Sequence, residues 1–214
     1  MGVYERRWLS VAFAVAVAVS AVHPYDTHDY VLEIATPVAG FLALAATRRR
    51  LPFTPLAYRL LFLEALVLVV GAHYTHERVP AFDWLRDRLG TPRNDYDRLA
   101  HFCVGFALVI PVREILIRTT PLRGRALNVL SAISILAFGG FYEITEWWIA
   151  VWSSPETGAA YLGSQGDVWD AQKDMLLDAL GALIGLVAWG RAHDRQLSAQ
   201  EPPRAEPVGG RDRH

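Results

Sequence analysis

The segment MLLDALGALIGLVAWG, residues 175–190, decides the fold class of this chain. It is apolar almost throughout, and its only charged residue is Asp178. It lacks the polar stripe, repeating every 3.6 residues, that a helix of a soluble bundle presents to water. Such a segment is typical of a helix that crosses a lipid bilayer, for which about 20 mainly apolar residues are needed.

Further apolar runs precede this segment, separated by short and heavily charged connections. We therefore predict an all-α, polytopic membrane protein with about six transmembrane helices, forming one integral membrane domain over residues 1–191. Residues 192–214, which are rich in proline, glycine and charge, are predicted to form a disordered cytoplasmic tail. The predicted spans are approximately Trp8–Val22, Val31–Ala46, Leu56–Tyr74, Leu99–Ile117, Ala126–Trp148 and Met175–Gly190.

Composition excludes several other classes of protein. With 52% hydrophobic residues, the chain is too apolar to be disordered. Its 21 basic and 22 acidic residues give a formal net charge of -1, so no nucleic-acid partner is expected. The single cysteine, Cys103, excludes an intrachain disulfide and a Cys-rich zinc module.

Basic residues are distributed unevenly between the two predicted sides of the membrane. By the positive-inside rule, the side that carries most of them is cytoplasmic, which predicts that both termini lie inside. The first span, preceded by Arg6 and Arg7 and ending in Val19-Ser20-Ala21, also resembles a cleavable signal peptide. The basic residues of the inner side lie at positions 6–7, 48–59, 113–125 and 191–213.

Carboxylates and histidines repeat at helical spacing near the opposite side of the predicted membrane. Charges this close to hydrocarbon are costly unless they pair, face the bundle interior or bind an ion. Because acids outnumber bases here, protons or a bound cation must neutralise part of the charge. The repeats are Asp97, His101 and Gly105 in span four, Gly139, Glu143 and Glu146 in span five, and Asp170, Asp174, Asp178, Gly181 and Gly185 in span six.

These residues predict a polar pocket in the outer half of the bilayer. Carboxylates with one or two histidines suit a divalent ion such as Mg²⁺, Mn²⁺ or Zn²⁺. His101 and Glu143 are the candidate catalytic residues, with His101 as a ligand or as a general acid or base. The candidate metal ligands are His73, Glu143, Glu146, Asp170, Asp174 and Asp178.

Simpler interpretations accompany each of these residues. Any single acid is more simply explained as a helix cap or as a partner of a loop arginine. His76 is expected to be an ordinary loop residue. Glu64 lies about 180° around its helix from His73, so the two should not share a site; it is expected to pair with an inner arginine such as Arg59 or to belong to a proton path.

Four stretches resemble the YjdF-like family of bacterial inner-membrane proteins: GAHYTHERVP (71–80), NDYDRLAHFCVGF (94–106), FYEITEWW (141–148) and YLGSQGDVWDAQKDMLLDALGA (161–182). The resemblance covers nearly the whole chain except the tail, and it implies a multi-pass protein of the inner membrane. It implies no activity, because none is established for that family.

The order of these polar residues is more distantly similar to that of the VanZ-like membrane proteins. The matching positions are Asp97 and His101, then Glu143, then Asp170 or Asp174 with Asp178. That family's link to glycopeptide-antibiotic resistance implies a role in the cell envelope. Fold-level similarity alone supplies no mechanism.

Three functions agree with these patterns. The first is a binding or assembly role in the envelope, with the lipid bilayer as the surrounding partner. The second is a metal-assisted enzyme acting on a lipid-linked or envelope substrate. The third is an ion- or proton-coupled transporter, although the inverted repeat or broken helices typical of transporters are not evident.

Overall fold

The computed structural model describes residues 2–152 and 164–200, and throughout these residues every regular element is helical. The prediction of an all-α fold is therefore confirmed. A 3-10 turn, Ser164–Gly166, precedes the last helix. The helices are α1 (Val3–Ser20), α2 (Thr27–Thr47), α3 (Pro55–Tyr74), α4 (Pro80–Leu89), α5 (Tyr96–Thr119), α6 (Gly124–Trp152) and α7 (Asp170–Ser198).

Five of these helices, α2, α3, α5, α6 and α7, are long and apolar enough to cross a membrane. Helix α1 has 18 residues, but its first turns hold Glu5, Arg6 and Arg7. These charges shorten its apolar part below the roughly 20 residues that a bilayer requires. The five spans agree with five of the predicted runs, and a sixth crossing by α1 stays a prediction.

Local capping residues set where the spans begin. The Asp26 side chain accepts hydrogen bonds from the backbone N–H groups of His28 and Asp29, at 2.8 and 3.0 Å, and starts α2. Thr54 precedes Pro55, the first residue of α3. Proline is favoured at that position because its missing N–H would have no helical partner. Both helices therefore start where the sequence offers a cap.

Helix α5 is the centre of the bundle. It packs against α3, α6 and α7, while α1 and α2 pack against the outer side of α3. The apolar core lies toward the end of the bundle that carries Arg48 and Arg118, which we call the arginine end. Its buried members are Phe53, Leu56, Ala57, Leu60, Ala107, Val109, Ile110, Ile135 and Ala182.

Glycines bring α5 and α7 into backbone contact. A Cβ atom added at Gly105 would collide with the carbonyl oxygen of Asp178 and lie 2.8 Å from the amide nitrogen of Ala182. A Cβ at Gly181 would likewise collide with the carbonyl oxygen of Phe102. The prediction that Gly105 allows close helix approach is confirmed. Small residues have this role at helix interfaces in membranes, where backbones can then approach closely.

A hydrogen-bonded pair fixes the starts of α5 and α7 relative to each other. The Gln165 side chain accepts from the backbone N–H of Asn94 at 2.7 Å and donates to the Asn94 carbonyl at 2.9 Å. Asn94 is fully buried and also donates to the Val79 carbonyl. This connection sets the register of the acids on the first turns of both helices.

Helix α7 extends further than predicted. It continues to Ser198, past the boundary at residue 192 where the tail was expected to begin. The reason is packing: His193 is fully buried, and the Gln196 side chain accepts from the backbone N–H of Leu56 at 2.9 Å. Residues 201–214 of the predicted tail lie outside the described residues.

Candidate functional site

His101 is the centre of a cluster of carboxylates contributed by three helices. Its Nδ1 lies 3.4 Å from Asp178 Oδ2 on α7. Its Nε2 lies 3.6 Å from Glu143 Oε1 on α6 and 4.0 Å from Asp97 Oδ1 on its own helix. The sequence-predicted catalytic pair, His101 and Glu143, is therefore brought together. We call this side of the molecule the acidic end.

Asp97, His101 and Asp174 form the group best arranged to hold a metal ion. One ligand atom from each lies within 4.8 Å of the others. Asp97 was singled out in the sequence for its spacing but not as a metal ligand, whereas Asp174 was. The i, i+4 spacing of Asp97 and His101 places both on one face of α5, and α7 supplies the third side chain.

Several carboxylate oxygens of this cluster are buried and have no hydrogen-bond partner among the described residues. They are Oδ1 of Asp174, Oδ1 of Asp178 and Oε1 of Glu143. The exposed fraction is 2% for Asp174 and 0% for Asp178. Buried polar groups of this kind are rare in folded proteins, and each requires a proton, a water molecule or an ion to offset its desolvation.

Gly139 makes room for the Asp178 carboxylate. A Cβ at this position would collide with Asp178 Oδ2, so α6 presents a bare backbone to the acid. Its neighbour Gly140 has only the Met175 sulfur near it, at 3.5 Å from an added Cβ. The small residue beside the acids in the sequence thus has a direct steric role.

Asp170 is paired with an arginine side chain. It forms a close ion pair with Arg93 Nη1, and both side chains are nearly buried. Burial lowers the pKa of Arg93, but the hydrogen bond and charge of Asp170 outweigh it, so the net shift is upward. Arg93 Nη2 also lies 3.6 Å from Asp97 Oδ2. Asp170, one of the predicted metal ligands, is thus already neutralised by Arg93.

Of the predicted ligands Glu146 and His73, one lies near the cluster and the other does not. Glu146 lines the same cleft as His101 and Asp178. His73 is not brought to the cluster: its Nδ1 lies 2.8 Å from the Ser20 carbonyl oxygen, and its ring packs against Tyr74. His73 instead joins the ends of α1 and α3.

Glu64 belongs to the acidic end, although its spacing in the sequence did not indicate this. It is 3% exposed, both carboxylate oxygens lack a hydrogen-bond partner, and it lines the same cleft as His101. The expected partner, Arg59, instead binds Glu5 at 2.7 Å. A contact of Tyr96 shows why Glu64 lies beside the start of α5. The Tyr96 hydroxyl donates to the Val67 carbonyl at 2.9 Å, and Val67 is about one helical turn from Glu64.

His76 is a second polar residue whose role could not be predicted from the sequence. It was expected to be an ordinary loop residue, but it is ion-paired with Glu33 on α2, and its ring packs on Gly71. Burial lowers the pKa of His76, whereas the charge and hydrogen bond of Glu33 raise it, and the net shift is upward. No spacing in the sequence joins residues 33 and 76, because only the packing of α2 on α3 brings them together.

These polar groups lie at one end of a long cleft lined by α1, α2, α3, α5 and α6. The cavity has a volume of about 670 Å³ and extends to the arginine end, where Arg6 and Arg48 line it. Between the two ends, its walls are mainly apolar, with Phe13, Phe41 and Leu108 among them.

Comparison with known proteins identifies the family of this chain. Residues 5–195 match the family model described as "Predicted membrane protein (DUF2238)". The chain is also 38% identical over 179 residues to the inner membrane protein YjdF of Escherichia coli (strain K12), a match that covers 83% of this chain and 85% of the relative. The chain belongs to the YjdF family. The resemblance seen in the sequence is therefore confirmed, and the protein is a multi-pass protein of the inner membrane. No solved structure matches it.

Proposed function

We propose that the protein is a membrane-embedded binding protein that holds a divalent cation at Asp97, His101 and Asp174. One observation carries the proposal: the three ligand atoms lie within 4.8 Å of one another, and Asp174 presents a buried oxygen without a partner. A cation would neutralise carboxylates that are otherwise costly inside a bilayer. No activity is needed for this role, which agrees with a binding or assembly function in the envelope.

The donor set indicates which ions fit. Metal–ligand distances of about 2.1 Å place neighbouring ligand atoms about 3–4 Å apart, so small side-chain rotations would complete the site. Two carboxylates and one imidazole suit Mn²⁺ or Zn²⁺ better than Mg²⁺, which prefers oxygen ligands.

Asp178 supports the assignment of His101 as a metal ligand, because it contacts the ring nitrogen that would not bind the metal. If the Nδ1 of the ring donates to Asp178, the lone pair of Nε2 faces Asp97 and Glu143. A carboxylate that orients a ligating histidine in this way is common at metal sites. The glycine at 139, which makes room for Asp178, thus helps to position the imidazole.

A metal-assisted enzyme is a second candidate, favoured by the position of Glu143. Its Oε1 has no hydrogen-bond partner and lies 3.6 Å from His101 Nε2. A carboxylate beside a metal site can accept a proton from an attacking water molecule. The substrate would be a lipid-linked or envelope molecule that reaches the cleft from the bilayer.

The metal proposal predicts that Asp174→Asn lowers both metal content and stability. The wild-type protein, gently purified and subjected to elemental analysis, should contain about one divalent ion per chain. At a free metal concentration of 100 times Kd, a bound ion stabilises by about 2.7 kcal/mol, so chelation of the wild type should mimic the substitution. Asp87→Asn, on the exposed side of α4, is the matched control and should change neither quantity.

A rise in the melting temperature of Asp174→Asn, instead of a fall, would argue against the metal site. If the acids only repel one another, Asp174→Asn exchanges a buried charge for an amide and raises the melting temperature. That result, together with a wild type insensitive to chelation, would contradict the proposal. Glu143→Gln distinguishes the binding protein from the metal-assisted enzyme. In either case the variant should retain the metal. If the protein is an enzyme, the variant should also lose turnover of the substrate.

We further propose that α1 forms a sixth crossing and that both termini lie in the cytoplasm. The arginine asymmetry supports this orientation. In a Cys103→Ser background, Arg88→Cys on α4 should react with an impermeant thiol reagent in intact cells. Arg50→Cys, between α2 and α3, should react only after lysis. The reverse pattern would overturn the orientation.

A further inference from the structure

We infer that the cleft binds a membrane lipid whose head group carries an amine, with the amine at the acidic end and an acyl chain along the apolar walls. The inference goes beyond the proposed cation site and does not require it, because Glu64 and Glu146 are not among the three ligands of that site, Asp97, His101 and Asp174. It is built from the length of the cleft, its walls and the charges at its acidic end.

The cleft is long in the direction of α2, one of the candidate membrane spans. Its lining residues run from Asp29, in the first turn of α2, to Arg48, the C-cap of that helix. At the helical rise per residue this is about 28 Å, close to the roughly 30 Å hydrocarbon thickness of a bilayer. Its volume of about 670 Å³ lies within the range of small-molecule sites. A small polar solute needs no site of this length, whereas an acyl chain matches it.

The middle of the cleft suits a hydrocarbon chain. Aromatic and aliphatic side chains of five helices line it, among them Phe13, Phe41, Phe62, Val104 and Phe138. Gly40 also lines it, and no atom of the described residues lies within 4 Å of a Cβ added there. The glycine thus leaves open space in the wall of the cleft.

The acidic end selects the head group. Glu64, Glu146, Asp97 and Asp178 line the cleft there, together with the two bases His76 and His101. Both oxygens of Glu64 are buried without a hydrogen-bond partner, although the side chain lines the cleft. Even one divalent cation leaves the acids in excess over the bases at this end. An ammonium group would be attracted, whereas an anionic head group without an amine would be repelled.

Competition between two lipids tests the inference. We would incubate delipidated protein in detergent with equal amounts of dioleoyl phosphatidylethanolamine and dioleoyl phosphatidylglycerol, and count bound lipids by native mass spectrometry. The two lipids share their chains and their phosphate, and only the former carries an amine. We expect phosphatidylethanolamine to be retained in preference, on the order of fivefold, as one ion pair of moderate strength would give. Equal retention of the two lipids would overturn the assignment of the head group.

Two variants assign the two parts of the lipid. Gly40→Leu should fill the chain region and abolish retention, while Gly190→Leu, which also meets no atom within 4 Å and does not line the cleft, should not. Glu64→Gln should still retain lipid but lose the discrimination between the two head groups. Retention by Gly40→Leu equal to that of the wild type would overturn the chain assignment.

Two further measurements separate this inference from the cation site. Metal content is measured in the same samples and should be unchanged in Gly40→Leu, so a failure of lipid binding is distinct from a failure of metal binding. Soluble O-phosphoethanolamine, which has the head group without the chain, should not displace the bound lipid. Displacement at comparable concentration would contradict a role for the chain.

Discussion

Replacement of Gly105 by alanine should lower the stability of the folded bundle by about 3 kcal/mol or more, at the upper end of the range for overpacked cores. The added methyl group would collide with the backbone carbonyl of Asp178, and no side-chain rotation can relieve a clash with backbone. Helices α5 and α7 must then separate. Because α5 carries His101 and α7 carries Asp174, the same change should also reduce metal content.

The measurement is thermal unfolding in detergent, with a fall in melting temperature of roughly 10 °C expected from that free energy. Gly40→Ala is the matched control, because it makes the same change in another apolar helix where no atom lies within 4 Å of the new methyl group. Alanine is a better helix former than glycine, by roughly 0.5–1 kcal/mol, so this control should be neutral or stabilising. Equal effects of the two substitutions would contradict the close α5–α7 contact.

The fold could be predicted largely because the bilayer limits the possibilities. Inside hydrocarbon, backbone groups must bond within the segment, so an apolar run such as residues 175–190 implies a helix. The residues at which the helices end were harder to predict. Helix α7 continues through His193 and Gln196, whose polar side chains resembled a tail in the sequence but form hydrogen bonds to α5 and α3.

The candidate site was predictable only where its residues share a helix. The four-residue spacing of Asp97 with His101, and of Asp174 with Asp178, fixes a common face before any packing is known. Glu64 could not be placed in this way, because its neighbours lie on other helices and no sequence pattern sets the register between α3 and α5. His73 was predicted to be a ligand, yet it faces the end of α1.

A second buried polar network, at the arginine end, was not predicted from the sequence, where only the i, i+4 spacing of Glu114 and Arg118 indicates a pair. Glu114 is fully buried and accepts hydrogen bonds from the backbone N–H and hydroxyl of Thr54, at 2.9 and 2.8 Å, and from His193 Nε2 at 3.1 Å. These partners are 60 and 79 residues away from Glu114. Arg118 adds a further bond at 2.6 Å, so that the carboxylate is fully paired.

The network also determines the tautomer of His193, that is, which ring nitrogen carries the proton. Arg113 has only N–H donors, and its Nη1 lies 2.9 Å from His193 Nδ1, so that Nδ1 must accept. The proton of the neutral ring is then on Nε2, which donates to Glu114. The acid at this end is satisfied by donors from three helix termini, in contrast to the unpartnered oxygens of Asp174 and Glu64. We therefore assign a structural role to Glu114 and keep the binding role for the acidic end.

Glu114→Gln should accordingly destabilise the protein strongly, by about 3 kcal/mol or more, because buried donors lose a charged acceptor. The amide keeps the shape of the side chain but turns an N–H₂ donor toward groups that are themselves donors: Thr54, His193 and Arg118. At least one buried N–H or O–H group then loses its acceptor, and α3, α5 and α7 lose their common contact. We expect a fall in melting temperature of roughly 10 °C or more.

Glu5→Gln is the control for this substitution, because it removes the same charge from an exposed pair with Arg59. Exposed pairs contribute little to stability, so its melting temperature should match that of the wild type. Metal content gives the decisive contrast between the two ends of the molecule. Glu114→Gln should retain the cation at low temperature, where the bundle is still folded, whereas Asp174→Asn should lose it. Loss of metal from folded Glu114→Gln protein would mean that the two ends are coupled, and a melting temperature equal to that of Glu5→Gln would remove the structural role of Glu114.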